Sequence, residues 1–174
     1  HGGDIITKDR FQNFELYVEW KIGSKSNSGI FFHVNEKIGK AIYESGPEYQ
    51  LIDDKGWPER LHDDQYSGSN YGMHAAGKTN LKATGDWNTS KIVVNKNHVE
   101  HWLNNLKMVE YERHSQVFRN LIAKSKYAPH PKFAQAPAAA APPAAPGHGQ
   151  QLPAGDRIGR PGRGAAPRRL EIGR

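Results

Sequence analysis

From Phe14 to Ile22 apolar and polar residues alternate: Phe14, Leu16, Val18, Trp20 and Ile22 fall on one side of an extended chain, Glu15, Tyr17, Glu19 and Lys21 on the other. A period of two belongs to a strand with one buried face. Gly29 to Val34 is a second short apolar run. Ala41 to Asp53 holds a third, broken at Gly46-Pro47, where an edge or bulge is expected because proline donates no ladder hydrogen bond. Lys91 to Asn95, His98 to Leu103 and Leu106 to Glu112 predict a meander, with Asn95-Lys96-Asn97 and Asn104-Asn105 as its turns, since Asn tolerates positive φ. On its middle strand Val99, His101 and Leu103 face one way and His98, Glu100 and Trp102 the other. One short helix is predicted from about His114 to Lys126, where Val117 and Leu121, and Phe118 and Ile122, recur at helical spacing. The pattern is that of an all-β domain without internal repeats.

Composition divides the chain. Residues 129–174 hold nine of the 11 prolines and six of the ten arginines, together with the run Ala138 to Pro146. Such a segment buries too little apolar surface to fold, so 1–128 is expected to be the domain and 129–174 a disordered Pro/Ala/Arg-rich tail. It reads either as a natural linker or as native sequence replaced by a change of reading frame near Phe133, because Ala, Pro, Gly and Arg share GC-rich codons. Charge follows the same division: up to Ala128, 17 Lys and Arg face 16 Asp and Glu, while the tail has seven against two. The pI near 9.5 is thus a property of the tail, and nucleic-acid binding, which needs clustered cations on or beside a folded face, is not expected. There is no Cys to build a disulfide framework or a thiolate metal site. No run approaches the roughly 20 apolar residues of a membrane span. The pattern sets no oligomeric state.

Three polar clusters could carry chemistry. Glu44, Glu48 and Gln50 lie around Gly46-Pro47, with Glu48 and Gln50 on one strand face; a carboxylate beside an amide can bind sugar hydroxyls or act as a base, or simply be a solvated face. Tyr66 to His74 is a Gly/Ser/Asn loop with two tyrosines and a histidine, suited to ligand binding or to plain connection. Asn97 to Asn104 carries His98, Glu100 and Trp102 on one face and His101 on the apolar face, where a core histidine is the simpler reading. His98 and His101 point apart on a strand, unlike the helical two-histidine metal motif, so a zinc site from this pair is not expected. Neither a phosphate-cradling Gly loop nor Gly-x-Ser-x-Gly occurs.

Taken together, Gly3 to Lys8, Phe14-Glu15-Leu16 with Glu19-Trp20, Asn27 to Phe31, Gly46 to Gln50 and Asn97 to Asn104 resemble the 3-keto-disaccharide (3-keto-glycoside) hydrolase family over about His1 to Ala128. The resemblance implies a concanavalin-A-like jelly-roll β-sandwich, here expected to be incomplete at both ends. It also implies a carbohydrate partner, a glycoside already oxidised at C3. Cleavage would be by elimination across C1 and C2 followed by hydration, with a non-catalytic carbohydrate-binding module of the same fold as the alternative. Glu48 and His101 are then the acid/base candidates, and His74 the candidate for enolate stabilisation or metal ligation. Glu19, Asn27, Tyr43, Gln50, Tyr71 and Trp102 are candidates for holding the sugar. A divalent metal could polarise the ketone, though no spacing demonstrates one. Export to the periplasm or beyond is expected from the family. Two departures stand out. Gly72 occupies a loop position where relatives usually carry an acidic residue, and the family's closing Gln-Asp-His-Gly and Arg-Asn-Ile-Lys-Ile-like strands are missing from the sequence.

Overall fold

The alternating segment becomes β1 (Phe14–Ile22), and its apolar side closes the core: Trp20 is fully buried and its indole N–H donates to Ser90 Oγ at 2.8 Å. The computed structural model describes residues 4–38, 41–77, 80–134, 156–158 and 169–172. Along the chain follow β2 (Asn27–Phe31), β3 (Glu48–Ile52), β4 (Asn88–Asn95), β5 (His98–Leu103), β6 (Leu106–Glu112), α1 (Gln116–Lys124), β7 (Asp156–Ile158) and β8 (Arg169–Ile172). One sheet runs β6-β5-β4-β1-β7, with β8 also on β1; the other pairs β2 with β3. The predicted meander is β4-β5-β6, antiparallel throughout. At its second turn Asn104 and Asn105 take φ of 47° and 66°, as a tight hairpin requires. At the first turn the positive φ, 55°, falls on Lys96.

The β2-β3 sheet is widened by the loop expected from its Gly/Ser/Asn composition. Gly68 N–H donates to Gln50 O at 2.9 Å, Gln50 N–H to Ser69 O at 3.2 Å and Tyr71 N–H to Glu48 O at 3.0 Å. The loop therefore runs along the edge of β3, satisfying backbone groups that a bare edge would leave open. Tyr49 joins the two layers: its hydroxyl donates to Trp102 O at 3.0 Å and accepts from Ser90 Oγ at 2.8 Å. Tyr49 and Leu51 from one sheet meet Trp20, Ile92, Val99 and Leu103 from the other, all essentially inaccessible to solvent. The result is a two-layer β-sandwich with one short helix, compatible with the expected jelly roll.

The helix is shorter than its pattern. His114 sits at φ 61°, and Ser115 caps the first turn by accepting Phe118 N–H at 3.1 Å, so α1 begins at Gln116. No described helix is long and apolar enough to cross a membrane.

Core contacts continue past Ala128, where the sequence placed the start of the tail. Tyr127 and Phe133 stack at 3.9 Å and are buried with Ala134, whose N–H donates to Ser45 O at 2.9 Å and whose carbonyl accepts from Arg113 Nη2 at 3.1 Å. β7 and β8 also fall in the stretch expected to be disordered, and both pair parallel to β1, β8 in the register Glu19↔Arg169 to Ile22↔Ile172. An edge strand beside β1 is thus present although the family's closing motif is not. The rest of 129–174 lies outside the described residues. Composition averages over a segment, whereas one aromatic such as Phe133 needs only an existing apolar surface to be captured.

Candidate functional site

In the β2-β3 register Phe31 pairs with Glu48, Gly29 with Gln50 and Asn27 with Ile52. Paired residues share a face, so Asn27, Glu48 and Gln50 lie on the outer face while Tyr49 and Leu51 point into the core. Glu48 owes its position to Gly29: a Cβ there would overlap the Glu48 carboxylate and come within 2.8 Å of its Cγ. Burial pushes the Glu48 carboxyl up to about 7, although Lys126 works in the opposite direction.

Lys126 follows the end of α1, and its Nζ lies 3.9 Å from the centre of the Tyr71 ring, 5.0 Å from Tyr127 and 5.9 Å from Tyr43. Burial lowers its pKa against the raising influence of Glu48 and Asp64, and the net shift is downward. Tyr71 is fixed by its own N–H on Glu48 O, by Tyr127 Oη donating to its carbonyl at 3.0 Å, and by Gln65 Nε2 donating to its hydroxyl at 3.3 Å. Tyr43 stands on the 3-10 turn Ile42–Glu44, exposed, with His130 against it edge-on at 5.9 Å. Gly72, at φ 69°, directs its missing Cβ toward Tyr127 and Lys126, 3.5 and 3.7 Å away. The carboxylate expected there would have faced Lys126; with glycine, the acidic groups acting on Lys126 are Glu48 and Asp64. The assembly offers a carboxyl titrating near neutrality, a partly desolvated ammonium and tyrosine rings, each with an apolar body and a polar tip.

The structure thus gathers Glu48, Tyr43 and Tyr71, with Asn27 and Gln50 on the same sheet face. Gln50 is buried, its Oε1 accepting Leu51 N–H at 3.2 Å, while Asn27 is exposed at the far end of β2. Glu19 and Trp102 belong elsewhere. They alternate with the buried Trp20, His101 and Leu103 and so occupy the outer face of the other sheet. There the Trp102 indole N–H donates to Glu100 Oε2 at 2.7 Å and Lys91 Nζ lies 4.0 Å above the ring.

His101, an acid/base candidate in the sequence, lies in the core. It is 0% exposed, its Nδ1–H donates to Gly68 O at 3.1 Å, and Phe32, Tyr49 and Tyr111 enclose it. Burial holds its pKa near 4, so it stays neutral near neutral pH. His74 stacks on Tyr111 at 4.5 Å and on Phe118 at 6.0 Å, with Nδ1 accepting from Asn70 Nδ2 at 3.0 Å; burial likewise lowers it to about 4. Its ring is a packing element under α1. Lys126, Tyr127, Asp64 and Gln65 escaped the sequence reading. The one available signal was a cation-aromatic pair, Lys126-Tyr127, just beyond the predicted helix.

Among the described residues one cluster has the ligand types and spacing for a metal, and it lies on the sheet that does not carry Glu48. His98, Glu100 and Glu110 on β5 and β6 present ligand atoms within 4.8 Å of one another. They lie on the same outer face as Trp102. Lys107 Nζ already bridges Glu100 at 3.5 Å and Glu110 at 2.5 Å. An ion at that place would displace an ammonium, and it would lie on the sheet that does not carry Glu48. A groove of about 520 Å³ between α1 and residues 128–134 has no carboxylate among its walls, its titratable lining being His114, Arg119 and His130.

Fold and site define a β-sandwich domain with a carboxyl-lysine-tyrosine cluster on one outer face. The chain belongs to the 3-keto-alpha-glucoside-1,2-lyase-like domain family, whose profile matches residues 1–141. A 3-keto-disaccharide hydrolase of Bacteroides thetaiotaomicron is 38% identical over 138 residues, covering 72% of this chain and 48% of the relative. Two crystal structures of Parabacteroides distasonis proteins provisionally described as glycosyl hydrolases are similar. One has a TM-score of 0.70 at 35% identity, covering 74% of this chain and 61% of that one. The other has 0.55 at 28%, covering 61% and 54%. The chain therefore spans about half the length of the curated relative it matches.

Proposed function

We propose that the protein to which this chain belongs cleaves 3-keto glycosides by elimination across C1 and C2 followed by addition of water. What carries this is the placement of the Glu48 carboxyl over Gly29 on the β2-β3 sheet, next to the strand-edge residue Tyr71 and the Lys126 ammonium above its ring, with burial raising that carboxyl to about 7. A ketone at C3 acidifies the proton on C2, so a base of modest strength suffices, and a base is most effective when its pKa lies near the working pH. Glu48 takes the C2 proton; the electron pair enters the C2–C3 bond and places charge on the C3 oxygen. As the ketone re-forms, the C1–C2 double bond forms, the C1–O bond breaks and the aglycone oxygen takes a proton. Water then adds its oxygen to C1 and a proton to C2. Family membership and the hydrolase name of the Bacteroides relative support the substrate class.

The test is release of a chromogenic aglycone from a 3-keto glucoside compared with its unoxidised parent. Release from the keto sugar alone is the expected result. Binding of the keto sugar without release would reduce the domain to a carbohydrate-binding module.

A further inference from the structure

We propose that Lys126 is a second catalytic residue of this site, its ammonium receiving the negative charge that builds on the C3 oxygen while Glu48 holds the C2 proton. The inference rests on the elimination reading above. The reaction needs an electrophile beside its base, because charge leaving C2 collects on the C3 oxygen, and preorganised donors aimed at such an oxygen are worth about 10²–10³-fold in rate. Of the two histidines that the sequence nominated, His101 is enclosed in the core and His74, half-buried, stacks on Tyr111 and Phe118. Lys126 Nζ lies 3.9 Å from the centre of the Tyr71 ring, and Tyr71 N–H donates to Glu48 O at 3.0 Å, so Tyr71 ties the two groups to one locality; Lys126 also acts electrostatically on Glu48.

Tyrosine faces and carboxylates around Lys126 oppose the burial that lowers its pKa. The faces of Tyr71, Tyr127 and Tyr43 stand 3.9 to 5.9 Å from Nζ, and cations are attracted to such faces. The titratable groups around it are Glu48 from β3, Asp64 from the 3-10 turn Asp63–Gln65, Tyr71 from the loop beside β3, Tyr127 next in the chain, and Tyr43 with His130 behind it. Partial burial sharpens the interaction with an anion, since a charge is screened less where water is excluded. It also brings the loss of the ammonium proton down from its ordinary value.

The prediction is a rate profile with two limbs. Activity rises with pH through about 7, as Glu48 becomes the carboxylate that a base must be. It falls again when Lys126 loses its proton. The experiment compares the wild-type chain, Lys126→Met and Lys126→Arg on the chromogenic 3-keto glucoside across pH, with circular dichroism on each. Expected are a loss of about 10²–10³-fold in kcat for Lys126→Met, and substantial recovery in Lys126→Arg with the alkaline limb abolished, because guanidinium stays charged. Equal release by wild type and Lys126→Met overturns the role of Lys126 and leaves the elimination reading standing. An alkaline limb retained in Lys126→Arg also overturns it. So does a sugar fixed to Lys126 by borohydride, which would mean an imine at C3 in place of an ammonium. If the wild-type chain itself releases nothing from the keto sugar, both readings fall together.

Discussion

Glu48→Gln is expected to lower aglycone release from a 3-keto glucoside by about 10²–10⁴-fold, the usual worth of a positioned acid or base, with the fold retained. Glutamine fills the same volume and can meet the same neighbours, but its amide cannot accept the C2 proton. Gly29→Ala removes the carboxylate differently: the added methyl occupies the space of Glu48 Cγ and the carboxyl, so the side chain swings away from the place opposite Lys126. Because the displaced atoms are the flexible end of a side chain on an outer face, activity should fall far more than stability. Steady-state rates together with thermal melts separate these outcomes. Full activity in Glu48→Gln would remove Glu48 from the reaction.

Acidification from pH 6.5 toward 4 is expected to destabilise the fold by several kcal/mol. His33, His74 and His101 are each held near 4 in the folded chain, in every case chiefly by burial; at His33 the Arg113 guanidinium, hydrogen-bonded to its ring, adds to this. Below pH 6.5 the unfolded chain protonates these imidazoles while the folded chain does not, so stability falls until the folded values are reached. His101, wholly enclosed, contributes about 3 kcal/mol of this by linkage, and the partly exposed His33 and His74 less each. Glu48 works the other way. Its raised carboxyl takes a proton in the folded state first, so stability is gained as pH falls from about 7 to 4.5. His98, raised mainly by its hydrogen bond from Nδ1 to Glu112, also favours the folded state in acid, weakly because the pair is exposed. Three opposing groups against one buried one leave a net loss, large against a typical domain stability of about 5–15 kcal/mol. Urea midpoints at pH 7 and pH 5 measure it. His101→Leu, which replaces a ring whose Nε2 has no partner, should flatten the slope by one proton, and an unchanged slope would contradict the assignment.

The strands were legible because alternation is a local property: β1, β5 and β6 occur where Phe14–Ile22, His98–Leu103 and Leu106–Glu112 placed them. Alternation also fixed His101 on the apolar face of β5, and burial there is what the structure shows. What it leaves open is which layer a strand joins. Glu19 and Trp102 share a strand-face logic with Glu48, yet they lie on the opposite outer surface of the sandwich, because β1 and β5 belong to one sheet and β3 to the other. Lys126 was illegible for a related reason. It lies over Tyr71, beside Glu48's strand, only because α1 and the turn after it bring Tyr127 against Tyr71, a tertiary contact without periodicity. β7 and β8 were missed because short parallel edge strands borrow their order from β1, and composition does not record that.

The central claim, proton removal from C2 by a carboxylate on the outer face of the β2-β3 sheet, is tested most directly by turnover of a 3-keto glucoside in deuterated water. The released 3-keto sugar is then analysed by mass spectrometry and NMR against a sugar incubated without protein. One deuterium at C2 in each newly released molecule is the predicted result. Aglycone release with protium retained at C2 would mean direct substitution at C1, and would contradict the account.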